Sequence, residues 1–382
     1  MGLAGILLAL HPGVAIAQQG EASGGGTGAP SVATQDAEPI AGTETELQAP
    51  RLAGWVFLPG VTYTPDHGLT LAGAALRYFK TEARTARVSH VVLTAEGSLE
   101  GRGMVSFDPN VWFDGGRFHL GGTALVSYLD YSYFGLGNDT RMADGEDYTA
   151  VRGTVRPEGV MRIARSLYGG VVYEFRHENI TALEEGGAID SGMVAGDGEG
   201  TVVSGIGGLV RWDSRDHSFS PRSGGLITLS PRVYGSFLGS DHDFTRLLLE
   251  ASWFFGLGGD HVLAVDGRVD LRGGDPPFSY MAYAGGSRLL RGMLEGRFRD
   301  RHFAGAQVEY RFPLFWRFGG VAFGGLGRVA SELSEFALTD LKYSAGGGLR
   351  FAIQQDERIT VRLDVAKSND DSAFYFALLE AF

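Results

Sequence analysis

Three consecutive residues, Asp216, His217 and Ser218, are of the types that a hydrolytic triad combines. Neighbours on a turn or strand cannot face one another as triad members must, so we expect no hydrolase site here. Asp197 and Glu199 could help to hold a calcium ion, but two carboxylates are too few, and a solvated acidic loop is the simpler interpretation. The chain has no Cys, which excludes thiolate metal sites and cysteine nucleophiles. We therefore predict no enzyme activity, no metal and no cofactor.

A second group of candidate residues is a dense charge run within residues 273–300. It allows two interpretations: a solvated surface loop, or a segment whose arginines pair with carboxylates inside the protein. Glu309 is a candidate partner in the second case, because it alternates with apolar residues and so lies on the polar face of its strand. The run consists of Arg288, Arg291, Glu295, Arg297, Arg299 and Asp300.

The elements that would position these residues follow a period of two. Ile359, Val361 and Leu363 are apolar and the residues between them are polar, and the same alternation recurs over 224–238 and 341–353. Runs of about ten residues suit strands that cross a membrane at a tilt, whereas strands of a soluble sandwich are shorter. No run approaches the roughly 18 apolar residues of a transmembrane helix. The pattern predicts an all-β, antiparallel transmembrane β-barrel.

Turn residues divide the chain into 16 strands, and the last is expected over 373–382. The long connections, 132–146, 179–200, 273–300 and 328–340, all fall after odd-numbered strands and therefore on one side. Long loops of outer-membrane barrels are extracellular and short turns are periplasmic. Both termini are therefore expected in the periplasm. A barrel of this size has a lumen too wide for its own side chains to fill, so residues 273–300 are a candidate plug.

Composition and the N-terminal sequence complete the domain organisation. The net charge of −12 argues against nucleic-acid binding. Residues 1–17 are expected to be a signal peptide, because a short apolar run is followed by Ala15-Ile16-Ala17. Residues 18–50 contain almost no large apolar residue and are expected to form a disordered periplasmic tail. The barrel then comprises residues 51–382.

Several motifs resemble the BamA/TamA outer-membrane assembly superfamily, also called the bacterial surface antigen barrel domain. Leu290, Arg291, Gly292 and Met293 resemble the tetrapeptide of that family's sixth extracellular loop, and our strand count makes 273–300 the sixth external loop. The resemblance implies that Arg291 reaches into the barrel and pairs with a carboxylate there, for which Glu309 is the candidate. The alternative is that Glu309 only solvates the lumen. Two further motifs agree: a periplasmic turn motif (Asp213, Arg215, Asp216, Pro221 and Gly224) and a C-terminal strand signal (Phe374, Phe376, Leu378 and Phe382).

The chain departs from the family pattern at three positions. Gly325 stands where relatives usually place a second acidic partner for the loop arginine. Met293 replaces an aromatic residue but keeps an adaptable apolar contact. Leu379 stands where relatives often have a glycine that permits a kink. Residues 18–50 are too few and too polar for a periplasmic POTRA domain, so the chain resembles a barrel-only member.

The resemblance implies insertion or translocation of proteins at the outer membrane, with the first and last strands open to β-augmentation by clients. Expected partners are outer-membrane lipids and lipopolysaccharide, client outer-membrane proteins and periplasmic accessory proteins. The alternative is a plugged channel or structural barrel without assembly activity.

Overall fold

The computed structural model describes residues 53–64, 68–81, 87–194 and 200–382. The predicted signal peptide, the tail 18–50, and Asp197 with Glu199 lie outside these residues. Among the described residues, no helix is long and apolar enough to cross a membrane. The short helices are single 3-10 turns at Asp114–Gly116, Met142–Asp144, Ser236–Leu238, Phe278–Tyr280 and Leu333–Glu335.

The chain forms one 16-stranded antiparallel sheet in which consecutive strands are neighbours, together with a separate two-stranded hairpin of β12 and β13. The large sheet confirms the all-β class and the predicted number of strands. Its strands are β1 (Ala53–Thr64), β2 (Gly68–Phe79), β3 (Ser89–Ser98), β4 (Gly103–Phe113), β5 (Phe118–Tyr133), β6 (Glu146–Arg162), β7 (Leu167–Leu183), β8 (Thr201–Asp213), β9 (Gly224–Tyr234), β10 (Phe244–Gly258), β11 (His261–Gly274), β14 (His302–Pro313), β15 (Phe318–Ala330), β16 (Lys342–Gln354), β17 (Ile359–Ser368) and β18 (Ser372–Leu378). The hairpin is β12 (Ala282–Ala284) with β13 (Phe298–Asp300).

The sheet exposes its apolar face and buries its polar face, which is the opposite of what a water-soluble protein does. Along β14, Gln307 and Glu309 are 1% and 0% exposed, whereas Val308 and Tyr310 are 46% and 37% exposed. Charged residues are almost never fully buried unless they are paired, and a large continuous apolar face is rarely left exposed on a soluble monomer. The apolar side therefore suits contact with lipid, and the polar side carries the internal contacts.

Connections at the two ends of the sheet differ in length. One end, here called the turn end, has short connections such as 114–117, 163–166 and 355–358. The other, here called the loop end, carries 134–145, 184–200, 235–243, 275–301 and 331–341. The segment 275–301, here called the long loop, contains the β12–β13 hairpin.

Strands β1 and β18 are the two edges of the sheet, and within the described residues no backbone ladder joins them. Side chains from both edges nevertheless share one apolar cluster at the turn end, which includes Val56 and Leu58 of β1 and Leu378 of β18. This cluster is here called the edge cluster. The sheet therefore curves enough to bring its two edges to the same place.

The last strand is shorter than predicted, because β18 ends at Leu378 rather than continuing to residue 382. Leu379 has a left-handed backbone (φ 62°), which is incompatible with an extended strand. Its N–H donates to the carbonyl oxygen of Thr360 at 2.8 Å. Residues 379–382 therefore turn away from the strand direction.

Candidate functional site

The long loop packs onto the polar face of the sheet through an apolar underside. Leu289, Leu290 and Met293 are at most 6% exposed and form one cluster with Phe298 of β13 and Phe303 of β14. Met293 therefore makes the apolar contact expected of it. This packing fixes the loop on the sheet, so that the arginine between Leu290 and Gly292 is directed at the strands beneath.

Arg291 is completely buried and contacts two carboxylates on different strands. One guanidinium nitrogen donates to Asp364 of β17 at 2.7 Å, and another donates to Glu309 of β14. The guanidinium carbon lies 3.4 Å from the ring centroid of Phe323 of β15. A planar guanidinium suits this combination of two in-plane carboxylate contacts and a stacked ring.

Further arginines bind the same carboxylates. Arg311 donates to Glu309 at 2.8 Å, and Arg350 donates to Asp364 at 2.6 Å. Arg350 also donates to Glu380 at 2.7 Å. Three carboxylates in this buried group face four arginines, and these contacts between opposite charges reduce the cost of burying each one. We call this group the arginine network: Arg291, Arg311, Arg350, Arg362, Glu309, Asp364 and Glu380.

Gly292 lets the loop backbone approach β17 closely. Its φ is 95°, and a Cβ atom there would lie 2.7 Å from the carbonyl carbon of Ala366. Its N–H donates to the hydroxyl of Tyr375 in β18 at 2.7 Å, and its carbonyl accepts from the hydroxyl of Ser368 in β17 at 3.1 Å. A side chain at this position would therefore push the loop away from β17.

Further charged residues of the predicted run contact the long loop itself, strand β11 or the neighbouring connection 134–145. Arg288 donates to Asp266 of β11 at 2.9 Å, and Arg297 donates to the hydroxyl of Thr140 at 2.9 Å. Glu295 accepts a hydrogen bond from Tyr283, and its charge together with burial raises the pKa of that hydroxyl to about 12. These contacts do not fit the interpretation of residues 273–300 as a solvated surface loop.

Most of the chain matches one protein-family model. Residues 93–376, more than half of the chain, match the Omp85 superfamily domain. The chain belongs to the Omp85 superfamily. Among solved structures it is similar to BamA from Haemophilus ducreyi lacking POTRA domains 1–3, with a TM-score of 0.55 and 15% identity over 84% of this chain and 67% of that one. It is also similar to CdiB from Escherichia coli, with a TM-score of 0.51 and 11% identity over 83% of this chain and 58% of that one.

No match was found among the curated proteins. The predicted relationship to the BamA/TamA group is confirmed by the family match. The two structural similarities, at these low identities, support the fold alone. As an Omp85 protein the chain is an outer-membrane β-barrel of the type that inserts or translocates proteins.

In this Omp85 protein the second carboxylate for the loop arginine comes from Asp364. Gly325, where relatives usually have that acid, faces Gln307 and Leu290 so closely that a Cβ atom would lie 2.9 Å from the Gln307 Cβ. Asp364, Tyr375 and Glu380 are contacts of the long loop or its arginine network that the sequence pattern does not predict. All three are polar residues that alternate with apolar ones, and this pattern is visible in the sequence. Alternation does not, however, predict which strands a curved sheet brings together.

The turn motif at the end of β8 forms a compact polar structure in this Omp85 chain. Arg215 and Arg87 both bind the buried Asp213 carboxylate, with an Arg215–Asp213 distance of 3.1 Å. Asp216 accepts from the backbone N–H of Arg222 at 2.8 Å. Gly224 has a left-handed backbone (φ 85°) where β9 begins, and Pro221 lies within the same connection.

The three residues with hydrolytic side-chain types do not face one another. The Asp216 carboxylate binds Arg358 at 2.6 Å, and His217 accepts a hydrogen bond from the N–H of Phe219 through Nδ1 at 3.2 Å. Burial and the Arg358 guanidinium lower the pKa of His217. Among the described residues, no cluster of three or more His, Asp or Glu side chains could hold a metal ion.

Three residues of the predicted C-terminal signal lie on one face of β18, and the fourth lies beyond the strand. Phe374, Phe376 and Leu378 lie on the face opposite to Tyr375, whose hydroxyl binds the long loop. Phe382 lies beyond the strand. Its carbonyl accepts from Arg311 at 3.2 Å.

Proposed function

We propose that the sheet closes into a cylinder, with the polar face inside and the long loop folded into it as a plug. Contacts between distant strands support this curvature. The ring of Phe382, after the last strand, lies 6.1 Å from that of Phe254 in β10. The completely buried Arg291 is held by carboxylates that lie on the polar face. In this arrangement both termini lie in the periplasm and the long connections are extracellular.

We further propose that the protein assists the insertion or translocation of other proteins at the outer membrane. The observation that carries this proposal is the pair of edges: β1 has 12 residues, β18 has 7, and among the described residues no ladder joins them. An edge strand presents unpaired N–H and C=O groups that an incoming strand can extend. A client strand would therefore add to the barrel at this seam.

The partners follow from the same surfaces. Client outer-membrane proteins would bind by β-augmentation at β1 or β18. Lipids and lipopolysaccharide would cover the outer face, where Trp55 and Phe57 next to the seam are 57% and 50% exposed. Accessory proteins would bind at the periplasmic turn end.

Reconstitution tests the activity directly. The purified chain is placed in liposomes, a urea-unfolded outer-membrane barrel is added, and the folded fraction is followed by its resistance to protease and its heat-modifiable migration. We expect faster folding of the client than in liposomes that contain an unrelated barrel of equal mass. In cells, depletion should lower the levels of client barrels in the outer-membrane proteome. Equal folding rates in both liposomes, together with an unchanged proteome, would refute the proposal.

A plugged channel is the second candidate. A polar cavity of about 670 Å³ lies beside the long loop, and its lining includes Arg246, Glu250, Asp266 and Arg268. Such a lining would admit water and ions if the loop moved. Current through the protein in planar bilayers, without any effect on client folding, would favour this candidate.

A further inference from the structure

The connection 214–223 between β8 and β9 is longer than the turns 114–117, 163–166 and 355–358 at the same end. We call it the clasp turn. The N–H of Ser214 donates to the carbonyl of Gly225 at 2.9 Å, which closes its base. One carboxylate oxygen of Asp216 accepts from the backbone N–H groups of Arg222 and Ser223, at 2.8 and 3.0 Å. The turn therefore has a defined shape of its own.

The tip of the clasp turn inserts an aromatic side chain into the edge cluster. Phe219 is 4% exposed and shares that cluster with Val56 and Leu58 of β1 and with Leu378 of β18. Its ring centroid lies 5.1 Å from that of His90 in β3. Phe219 lies in the connection after β8, and β8 is seven strands from β1 and eight from β18 in the sheet order. It nevertheless belongs to the cluster that both edges share.

A polar contact fastens the same turn to the β17 side of the seam. Arg358, in the turn between β16 and β17, donates through one nitrogen to Asp216 at 2.6 Å and to the carbonyl of Ser220 at 3.2 Å. Arg358 has a left-handed backbone (φ 46°), which is unfavourable for a residue with a side chain. Both charged side chains remain 29% exposed, so water and salt can reach the pair.

We infer that the clasp turn is an autoinhibitory fastener, which holds the two edges of the sheet together at the turn end until the Arg358 contact is released. Because no ladder joins β1 to β18 within the described residues, side-chain contacts must hold the edges at this end. Phe219 lies in the apolar cluster to which both edges contribute, and Arg358 binds Asp216 and Ser220 of the turn that carries Phe219. The fastener is separate from Arg291, which acts between the long loop and β14 with β17.

The inference deepens the proposed function, on which its biological meaning rests, since opening of the edges would precede addition of a client strand. The contacts of the clasp turn with the two edges require no client protein. The edges can exist fastened or released, and loss of one contact shifts the population between the two states by the free energy of that contact.

Labelling of a single cysteine tests the fastener, because the natural chain has none. The reporter is Ala74→Cys on β2, at a position that is 7% exposed within the edge cluster. In the reconstituted full chain, a water-soluble maleimide should label this thiol slowly. Adding Arg358→Gln should raise the labelling rate about two- to fivefold, the shift expected when a partly solvent-exposed ion pair is lost.

Asp260→Asn is the matched control. Asp260 binds Arg222 of the same clasp turn at 2.5 Å, but it lies between β10 and β11, away from the seam. The labelling rate should not change in this variant. Phe219→Ala should accelerate labelling at least as much as Arg358→Gln, and heat-modifiable migration shows whether each variant is folded.

An unchanged rate in folded Arg358→Gln, or an equal acceleration in Asp260→Asn, would overturn the inference. Because labelling requires no client, a negative result in the folding assay would leave this test intact. Faster labelling without any gain in client folding would retain the fastener and remove the proposed function.

Discussion

Arg291 and Asp364, 73 residues apart in the chain, are joined by a 2.7 Å hydrogen bond in which neither side chain is exposed to solvent. The contact links the long loop to β17, the neighbour of an edge strand. Glu309 binds the same guanidinium from β14. The loop is thus tied to two strands between which β15 and β16 lie.

Asp364→Asn should destabilise the protein strongly. It leaves Arg291, Arg350 and Arg362 without one of their shared carboxylates, and removing one partner of a buried ion pair costs about 3–5 kcal/mol. The temperature at which heat-modifiable migration is lost should therefore fall. The control is Asp340→Asn, whose side chain is 70% exposed and lies 3.8 Å from Arg328. A similar fall in both variants would contradict a special role of Asp364.

A carboxylate at the family position should not replace Asp364. Gly325→Asp would place a Cβ atom 2.9 Å from Gln307 and 3.1 Å from the Ala306 carbonyl oxygen. Overpacking of this kind costs about 1–3 kcal/mol. The double variant Gly325→Asp with Asp364→Asn should therefore be less stable than Asp364→Asn alone. Recovery of wild-type thermal stability in the double variant would show that the site tolerates either position.

Gly292→Ala should release the long loop more than backbone strain alone predicts. Its Cβ atom would lie 2.7 Å from the backbone of Ala366, whereas Gly101, at a similar φ of 82°, has open space. Left-handed backbone alone costs about 1–2 kcal/mol for an alanine, so Gly101→Ala measures that part. Protease cleavage within the loop should increase in Gly292→Ala and remain unchanged in Gly101→Ala. Equal cleavage in the two variants would argue against a close contact between Gly292 and the backbone of Ala366.

Arg291→Ala should allow ions to pass. The side chain connects the long loop to Glu309 and Asp364, and its loss leaves both carboxylates without their loop contact. We expect larger and more frequent current steps in planar bilayers than for the natural chain. The control is Arg141→Ala, since Arg141 is 79% exposed and binds only Asp144 of its own loop among the described residues. Closed behaviour in Arg291→Ala would mean that other contacts hold the loop.

Glu380→Gln should free residues 379–382 from the polar face. Arg350 donates to this carboxylate at 2.7 Å, and a hydrogen bond to a charged group contributes about 1.5–3 kcal/mol. Chymotrypsin, which cleaves after large apolar residues, should then cut after Leu379 faster than in the natural chain. Glu335→Gln is the control, because within the described part of the chain Glu335 accepts only from Ser331 and Glu332 of its own loop. No change in the cleavage rate would mean that the contacts of Phe382 with Arg311 and Phe254 are sufficient to hold this segment.

The alternation of apolar and polar residues was sufficient to predict the strands and their number, because one face of each strand meets lipid. Loop lengths likewise identified the long loop, and the polar face of β14 identified Glu309. Asp364 could not be predicted from alternation, because it meets Arg291 only through the curvature of β14 to β17. The end of β18 was also missed, since the residue type of Leu379 gives no sign of its left-handed backbone (φ 62°).

The contacts that Gly292 makes with β17 and β18 determine when the long loop can dock during folding. Its hydroxyl partner Tyr375 lies 83 residues further along the chain, and Ser368 lies 76 residues further. Contacts of such long sequence separation form late, because the intervening chain must first be ordered. The long loop therefore completes its docking only after the last two strands have paired, and in the proposed plugged cylinder this last folding step would also close the lumen.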